Sequence, residues 1–155
     1  MNYPNDPYEV SVGVPSVEVF RRLRTDAGLS DKAPEAVAVA LPNTWHGVVL
    51  RYQGEPIGMG RIIGDGGTAF QVVDMCVHPA HQGRGLGKRI MAALTEELER
   101  RAPATAYVSL IADGPARFLY EKFGFADTAA HDSIGMYRAM DGNSAPQSPT
   151  PSRPR

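Results

Sequence analysis

The sequence predicts a mixed α/β domain, and three observations carry that expectation. Between His46 and Val77, short β-branched and apolar runs are separated by glycine- and proline-bearing turns, as in consecutive strands. From Leu86 onward the apolar period lengthens to that of a helix. Between the two lies a glycine-rich loop, Gln82-Gly83-Arg84-Gly85-Leu86-Gly87, so the order from Phe70 to Arg101 is strand, loop, helix.

Taken in order, Tyr8–Val12 alternates and predicts a first strand. Ser16 can cap a helix running through Phe20, Leu23 and Arg24 to a stop near Gly28. A short helix follows over Ala33–Leu41, with Pro34 tolerated in its first turn and Pro42-Asn43 ending it. His46–Tyr52 and Ile57–Ile63 are strands joined by a hairpin turn at Gln53-Gly54-Glu55-Pro56. Gly64-Asp65-Gly66-Gly67 turns the chain into a strand over Ala69–Val77. Leu86, Ile90, Leu94 and Leu98 give the next helix one apolar face, and Glu96/Arg100 and Glu97/Arg101 lace the other. Ala102-Pro103 ends it. Thr105–Ile111 predicts a strand, Ala116–Phe123 a short helix closed by Gly124, and Ile134–Met140 a final strand. A Pro- and Ser-rich tail, residues 141–155, has no apolar anchor and is expected to be disordered, leaving residues 1–140 as one domain.

Composition narrows the function. A chain of 155 residues suits a single core, and 43% hydrophobic with 21% charged residues is ordinary for a soluble protein. The net charge of −1 argues against an overall electrostatic grip on nucleic acid or membrane. His78, His81, Arg84, Lys88 and Arg89 nevertheless gather around the loop. The single cysteine, Cys76, excludes an intrachain disulfide. No apolar run approaches the roughly 20 residues of a membrane helix, and the N-terminus lacks the regions of a signal peptide, so a cytoplasmic protein is expected.

A helix that opens from a glycine-rich turn offers unpaired N–H groups and the positive end of its dipole, which suits a phosphate. The loop alone is a weak signal. A P-loop would need Gly at 82 and Ser or Thr at 89, where Gln82 and Arg89 stand. The dinucleotide fingerprint also fails, because its last glycine falls on Lys88 or Ile90. On this motif alone, a tight turn whose glycines only relieve a steric clash explains it equally well.

The surrounding residues extend the motif. Val77-His78-Pro79 precedes Gln82 to Gly87, and Leu119-Tyr120 with Gly124-Phe125 follows. In this order and context the chain closely resembles the GNAT N-acetyltransferase superfamily over all but its tail. The resemblance implies a mixed, mostly antiparallel sheet of six to seven strands, splayed in the middle and flanked by about four helices. It implies acetyl-CoA as cosubstrate, with the pantetheine arm lying in the splay like an added strand. Met75, Cys76 and Val77 would bond that arm, and Gln82, Gly83, Arg84, Gly85, Leu86, Gly87 and Lys88 would wrap the pyrophosphate. The family's usual Asn at the fourth helix is replaced by Asp113, which can accept but not donate to the pantetheine amide.

The resemblance also distributes roles. Tyr120 is the candidate general acid for the departing thiolate, against a filling role in the core. Asp74 is the candidate base, against a buried acid paired with a cation; the family's alternative Glu on the following strand is replaced by Val108. Cys76 as an acyl-carrying nucleophile lacks a visible base and reads as a small core residue. The acids and histidines show no metal-ligand spacing, so no metal is expected. Asn43, Trp45, His46 and the Arg24–Ser30 turn fall where the family builds its acceptor pocket; Trp45 can equally be core. Arg51 and Arg61 are unplaced candidates for a phosphorylated acceptor. A short stretch, Ser109–Asp113 with Phe118–Tyr120, is similar to the arylalkylamine branch and points to a small amine.

The expected activity is therefore direct acetyl transfer from acetyl-CoA to a primary amine of a small molecule. The alternatives are a protein N-terminal or lysine amine, another acyl-CoA, or a non-catalytic CoA-binding sensor. The partner is a small amine rather than nucleic acid or membrane, and free strand edges allow a homodimer.

Overall fold

The computed structural model describes residues 5–138 and residue 140. The chain forms two units, residues 1–125 and 126–155. The first contains β1 (Tyr8–Val12), α1 (Val17–Asp26), α2 (Pro34–Ala40), β2 (His46–Tyr52), β3 (Glu55–Gly64), β4 (Ala69–Val77), α3 (Leu86–Arg101), β5 (Tyr107–Leu110) and α4 (Arg117–Glu121). The strands form one five-stranded sheet in sequence order. β1 to β4 make an antiparallel meander, and β5 returns parallel to β4 after α3.

Local chemistry accounts for these elements. The Ser16 hydroxyl accepts from the Val19 amide at 3.2 Å and starts α1. Gln53 and Gly54 both take positive φ, 49° and 88°, as a tight hairpin between β2 and β3 requires. On one face of the sheet, Ile90, Met91 and Leu94 of α3 are fully buried against Val48, Leu50, Ile62, Phe70 and Val72. On the other, Phe20 and Leu23 of α1 and Val37 of α2 close over Met59 and Cys76. Gly60 lets α3 approach closely. A Cβ there would stand 2.7 Å from both Ile90 Cγ2 and Met75 Sδ.

The feature that shapes the site is a bulge in β4. Met59 pairs with Cys76 and Arg61 with Val73, so Asp74 and Met75 together oppose Gly60. Asp74 takes φ 57°, the left-handed conformation of a bulged residue. The extra residue reverses the alternation of the strand. Phe70 and Val72 face α3, whereas Cys76 joins the α1 cluster and Met75 approaches Gly60 and the α3 side. Pairing of β4 with β5 stops at Val72 opposite Leu110. β5 ends at that pair, and among the described residues Val73–Val77 pairs with no strand on that side.

In the second unit, the Asp127 carboxylate accepts from the Ala129 amide and starts a single 3₁₀ turn over Thr128–His131. The strand expected at Ile134–Met140 is not formed. Residues 134–138 carry no regular structure, and Ile134 and Met136 are exposed. β-branched and apolar residues confer a propensity, but a strand exists only when its backbone groups are paired. The described sheet accordingly has five strands, not six or seven. The tail expected to be disordered, residues 141–155, lies outside the described residues.

Because the space over Gly60 is already filled, Gly60→Ala is expected to destabilise the protein by about 1–3 kcal/mol through overpacking. Thermal unfolding measures this, and an unchanged melting temperature would contradict the close approach of α3 to β3.

Candidate active site

The loop after β4 is shaped by backbone conformation. His78 Nδ1 accepts from the Ala80 amide, and a 3₁₀ turn at Pro79–His81 redirects the chain. Gly83 and Gly85 then take φ 76° and 73°, where side chains are strained, and a Cβ at either position would meet nothing within 4 Å. Gly85 is the N-cap of α3 and supplies no side-chain bond to the helix start. The first turn holds no acid, and Lys88 sits in it, although a cation opposes the dipole there. Arg89 is neutralised by Asp6 at 2.8 Å. A helix start with free amides, a lysine and open space above its glycines is chemically suited to an anion. The Gln82 side chain is oriented by donating one N–H to the Val77 carbonyl at 2.9 Å.

From this loop a cleft of about 540 Å³ follows the splay of the sheet. Met75, Cys76 and Val77 of β4 line one side, Gly83, Gly85, Leu86, Gly87 and Lys88 lie at one end, and Leu119 and Tyr120 of α4 face it. A second cavity of about 580 Å³ opens on the α1 side, lined by Arg24, Arg61, Asp74, Gln71, Lys32 and Asp113 among others. Both cavities share Leu29, Met75, Ala116 and Tyr120, so they meet at the tyrosine. Burial, and after it the Asp113 carboxylate, holds the Tyr120 phenol above its ordinary value. It therefore stays protonated at neutral pH.

Asp74 lies in the second cavity between two guanidinium groups. Arg24 Nη1 donates to Oδ1 at 2.6 Å, and Arg61 Nε donates to Oδ2 at 2.8 Å. All three side chains are about nine-tenths buried. Arg24 also donates to the Ser30 carbonyl and hydroxyl, and Arg61 to the Ala40 carbonyl and Thr44 hydroxyl. Phe20 lies beneath both guanidiniums. Of the two readings of Asp74 open from sequence, a base or a buried acid paired with a cation, this geometry matches the second.

Other candidates sort by position. Burial, reinforced by Asp74, pushes the Cys76 thiol up to about 12, which suits a core residue and not a nucleophile. Asp113 lines the second cavity and not the cleft. Trp45 packs edge-on against Phe70 beneath Arg101. His46 lies near Glu97 by a separate small pocket, and burial lowers its affinity for a proton. Neither lines either of the two cavities, where the resemblance would have placed them. Asn43 donates to the Val39 carbonyl and also stands apart. Of the Arg24–Ser30 turn, Arg24, Ala27 and Leu29 do line them. Arg61 lines the second cavity, whereas Arg51 bonds the Gly54 carbonyl in the hairpin turn. His81 is anchored to the Tyr8 hydroxyl at 3.0 Å and stacked near Tyr52. Sequence reading passed over Lys32 and Gln71; the available signal was Arg24 itself, a cation spaced i,i+4 from Phe20 on an apolar helix face.

The splayed sheet, the glycine loop at a helix start and the tyrosine opposite define a CoA-type acyltransferase architecture. A family model for the acetyltransferase (GNAT) domain matches residues 43–127, and the chain belongs to that family. Among solved structures, a probable acetyltransferase of unknown function from meticillin-resistant Staphylococcus aureus superposes with a TM-score of 0.80 at 44% identity, covering 85% of this chain and 98% of that one. Among curated proteins, a chloroplastic serotonin N-acetyltransferase 2 of Oryza sativa subsp. japonica is 33% identical over 87 residues, 56% of this chain and 42% of that protein. A mycothiol acetyltransferase of Amycolatopsis mediterranei is 35% identical over 85 residues, 52% of this chain and 28% of that protein. The chain thus spans less than half the length of either of these relatives. Among the described residues, no helix is long and apolar enough to cross a membrane.

Asp74→Asn tests the triad. Asn accepts the left-handed backbone but removes the charge between two buried arginines, a change that costs about 3–5 kcal/mol. A melting temperature lower by about 10 °C is expected. A wild-type melting temperature with a selective loss of rate would return Asp74 to the role of base.

Proposed function

We propose that this protein is an N-acetyltransferase that moves the acetyl group of acetyl-CoA directly to a primary amine of a small molecule. The observation that carries the proposal is the meeting of two cavities at Tyr120 where β4 and β5 part. One cavity is fitted to a phosphorylated donor, the other to an acceptor.

In this reading acetyl-CoA supplies an activated thioester, and the residues of the chain bind, orient and exchange protons. The amides of Gly83 to Lys88 hold the pyrophosphate at the start of α3, with Arg84 and Lys88 adding charge. The backbone of Met75, Cys76 and Val77, unpaired toward β5, binds the pantetheine arm as a strand would. A backbone N–H there faces the oxygen on which charge develops, an interaction worth about 3 kcal/mol in comparable sites. The neutral amine attacks the carbonyl carbon and passes a second proton to water, the carbon–sulfur bond breaks, and Tyr120 gives its proton to the departing sulfur.

The amine must first lose its own proton, since an alkylammonium group near 10.4 is well under one per cent neutral at pH 7. Asp74 is already shared by Arg24 and Arg61, so we assign it to holding those groups in place. The proton leaves through water in the acceptor cavity. Asp113, beside Tyr120 on that side, attracts the ammonium form to the reacting end. The buried, protonated thiol of Cys76 favours direct transfer over an acyl-cysteine route.

Tyr120→Phe is expected to lower kcat by about 10²-fold or more while the KM for acetyl-CoA stays within a few-fold. In the wild type, rate should fall only above the ordinary phenol range, because burial raises the Tyr120 phenol, and the variant should lack that limb. Thiol release from acetyl-CoA with an amine panel measures both. An unchanged kcat would remove Tyr120 as the acid, and CoA binding with no turnover on any amine would favour a sensor.

A further inference from the structure

The acceptor cavity carries a charge that its own residues do not balance. Two arginines, each with under a tenth of its surface exposed, face a single buried carboxylate, so the Arg24–Asp74–Arg61 cluster holds one excess positive charge. Excess charge away from water is costly unless an opposite charge or strong hydrogen bonds offset it. The Phe20 ring beneath the guanidiniums supplies only a weak attraction. The nearby Asp31 carboxylate is held by Arg21 through two bonds, at 3.0 and 2.6 Å, and leaves the excess in place. Lys32 adds another positive charge at the rim of the same cavity.

Among the described residues, the other acid lining this cavity is Asp113, beside Tyr120. The cavity therefore has an acidic group next to the transfer point and a buried cationic cluster elsewhere in its wall. Arg24 donates once from each of its three nitrogens to protein partners among the described residues, leaving terminal N–H groups uncommitted out of the five a guanidinium offers. Guanidinium N–H pairs match the oxygens of carboxylates and phosphates.

We infer that the acceptor is a primary amine carrying a carboxylate or phosphate group, its nitrogen beside Asp113 and Tyr120 and its anionic end on Arg24 and Arg61. This rests on the acetyltransferase reading and narrows its substrate class. It disfavours the plain arylalkylamine acceptor that the short resemblance around Ser109–Asp113 suggested. A cavity built for an amine without an anionic group would gain nothing from a buried cationic wall.

The test is steady-state kinetics of the full chain at saturating acetyl-CoA with matched amines. Phenylethylamine against phenylalanine reads the carboxylate, and ethanolamine against phosphoethanolamine reads the phosphate. At least one member bearing the anionic group is expected to exceed its counterpart without it at least tenfold in kcat/KM, with most of the difference in KM. Lys32→Ala, at an exposed position, should reduce that ratio several-fold, as should raising the salt concentration. Members without the anionic group that match or exceed their counterparts in both pairs overturn this inference but leave the acetyltransferase reading intact. No turnover with any of the four overturns both.

Discussion

One extra residue in a strand governs the rest of this molecule. Asp74 and Met75 together oppose Gly60, and the chain can no longer keep its alternation through β4. Pairing with β5 ends where that irregularity begins, at Val72 and Leu110. The backbone from Val73 to Val77 is thereby left without a strand neighbour on one side. An unpaired strand edge inside a domain demands a partner, and a flexible amide-bearing ligand can act as one. The bulge also sends Asp74 toward α1 and Met75 toward α3, so it shapes the walls of both cavities in a single step.

The electrostatics follow from that geometry. Next to the cleft, α3 begins with free amides, glycines in left-handed conformation and a lysine that opposes the helix dipole. On the other side, two arginines converge on the bulged aspartate. Both sides are positive, and Tyr120 stands between them with its proton retained by burial. A molecule arranged in this way favours anions at both ends and a proton donor where they meet. The stability of this buried triad depends on all three side chains at once.

Much of this was legible in the chain. The apolar spacing from Leu86 to Leu98 fixed a helix and its buried face, and the turn residues located the meander. The loop motif and the later Leu119-Tyr120 located the cleft. What was not legible depends on contacts far apart in sequence. Asp74 is bonded to residues 50 and 13 positions away, and no local pattern announces a pairing of that span. Trp45 precedes and His46 opens a strand whose neighbours, not its sequence, decide what these side chains pack against. The residues from Ile134 onward have the composition of a strand, but composition cannot supply the hydrogen-bonding partner that a strand needs.

The central claim is that the open edge of β4 and the first turn of α3 together receive the CoA donor. Amide hydrogen exchange of the full chain, with and without CoA, tests it most directly. The account predicts that added CoA slows exchange at Met75, Cys76 and Val77 and at Gly83 to Lys88, and leaves the β1–β2 pair unchanged. Bound CoA with unaltered exchange in both segments would contradict it.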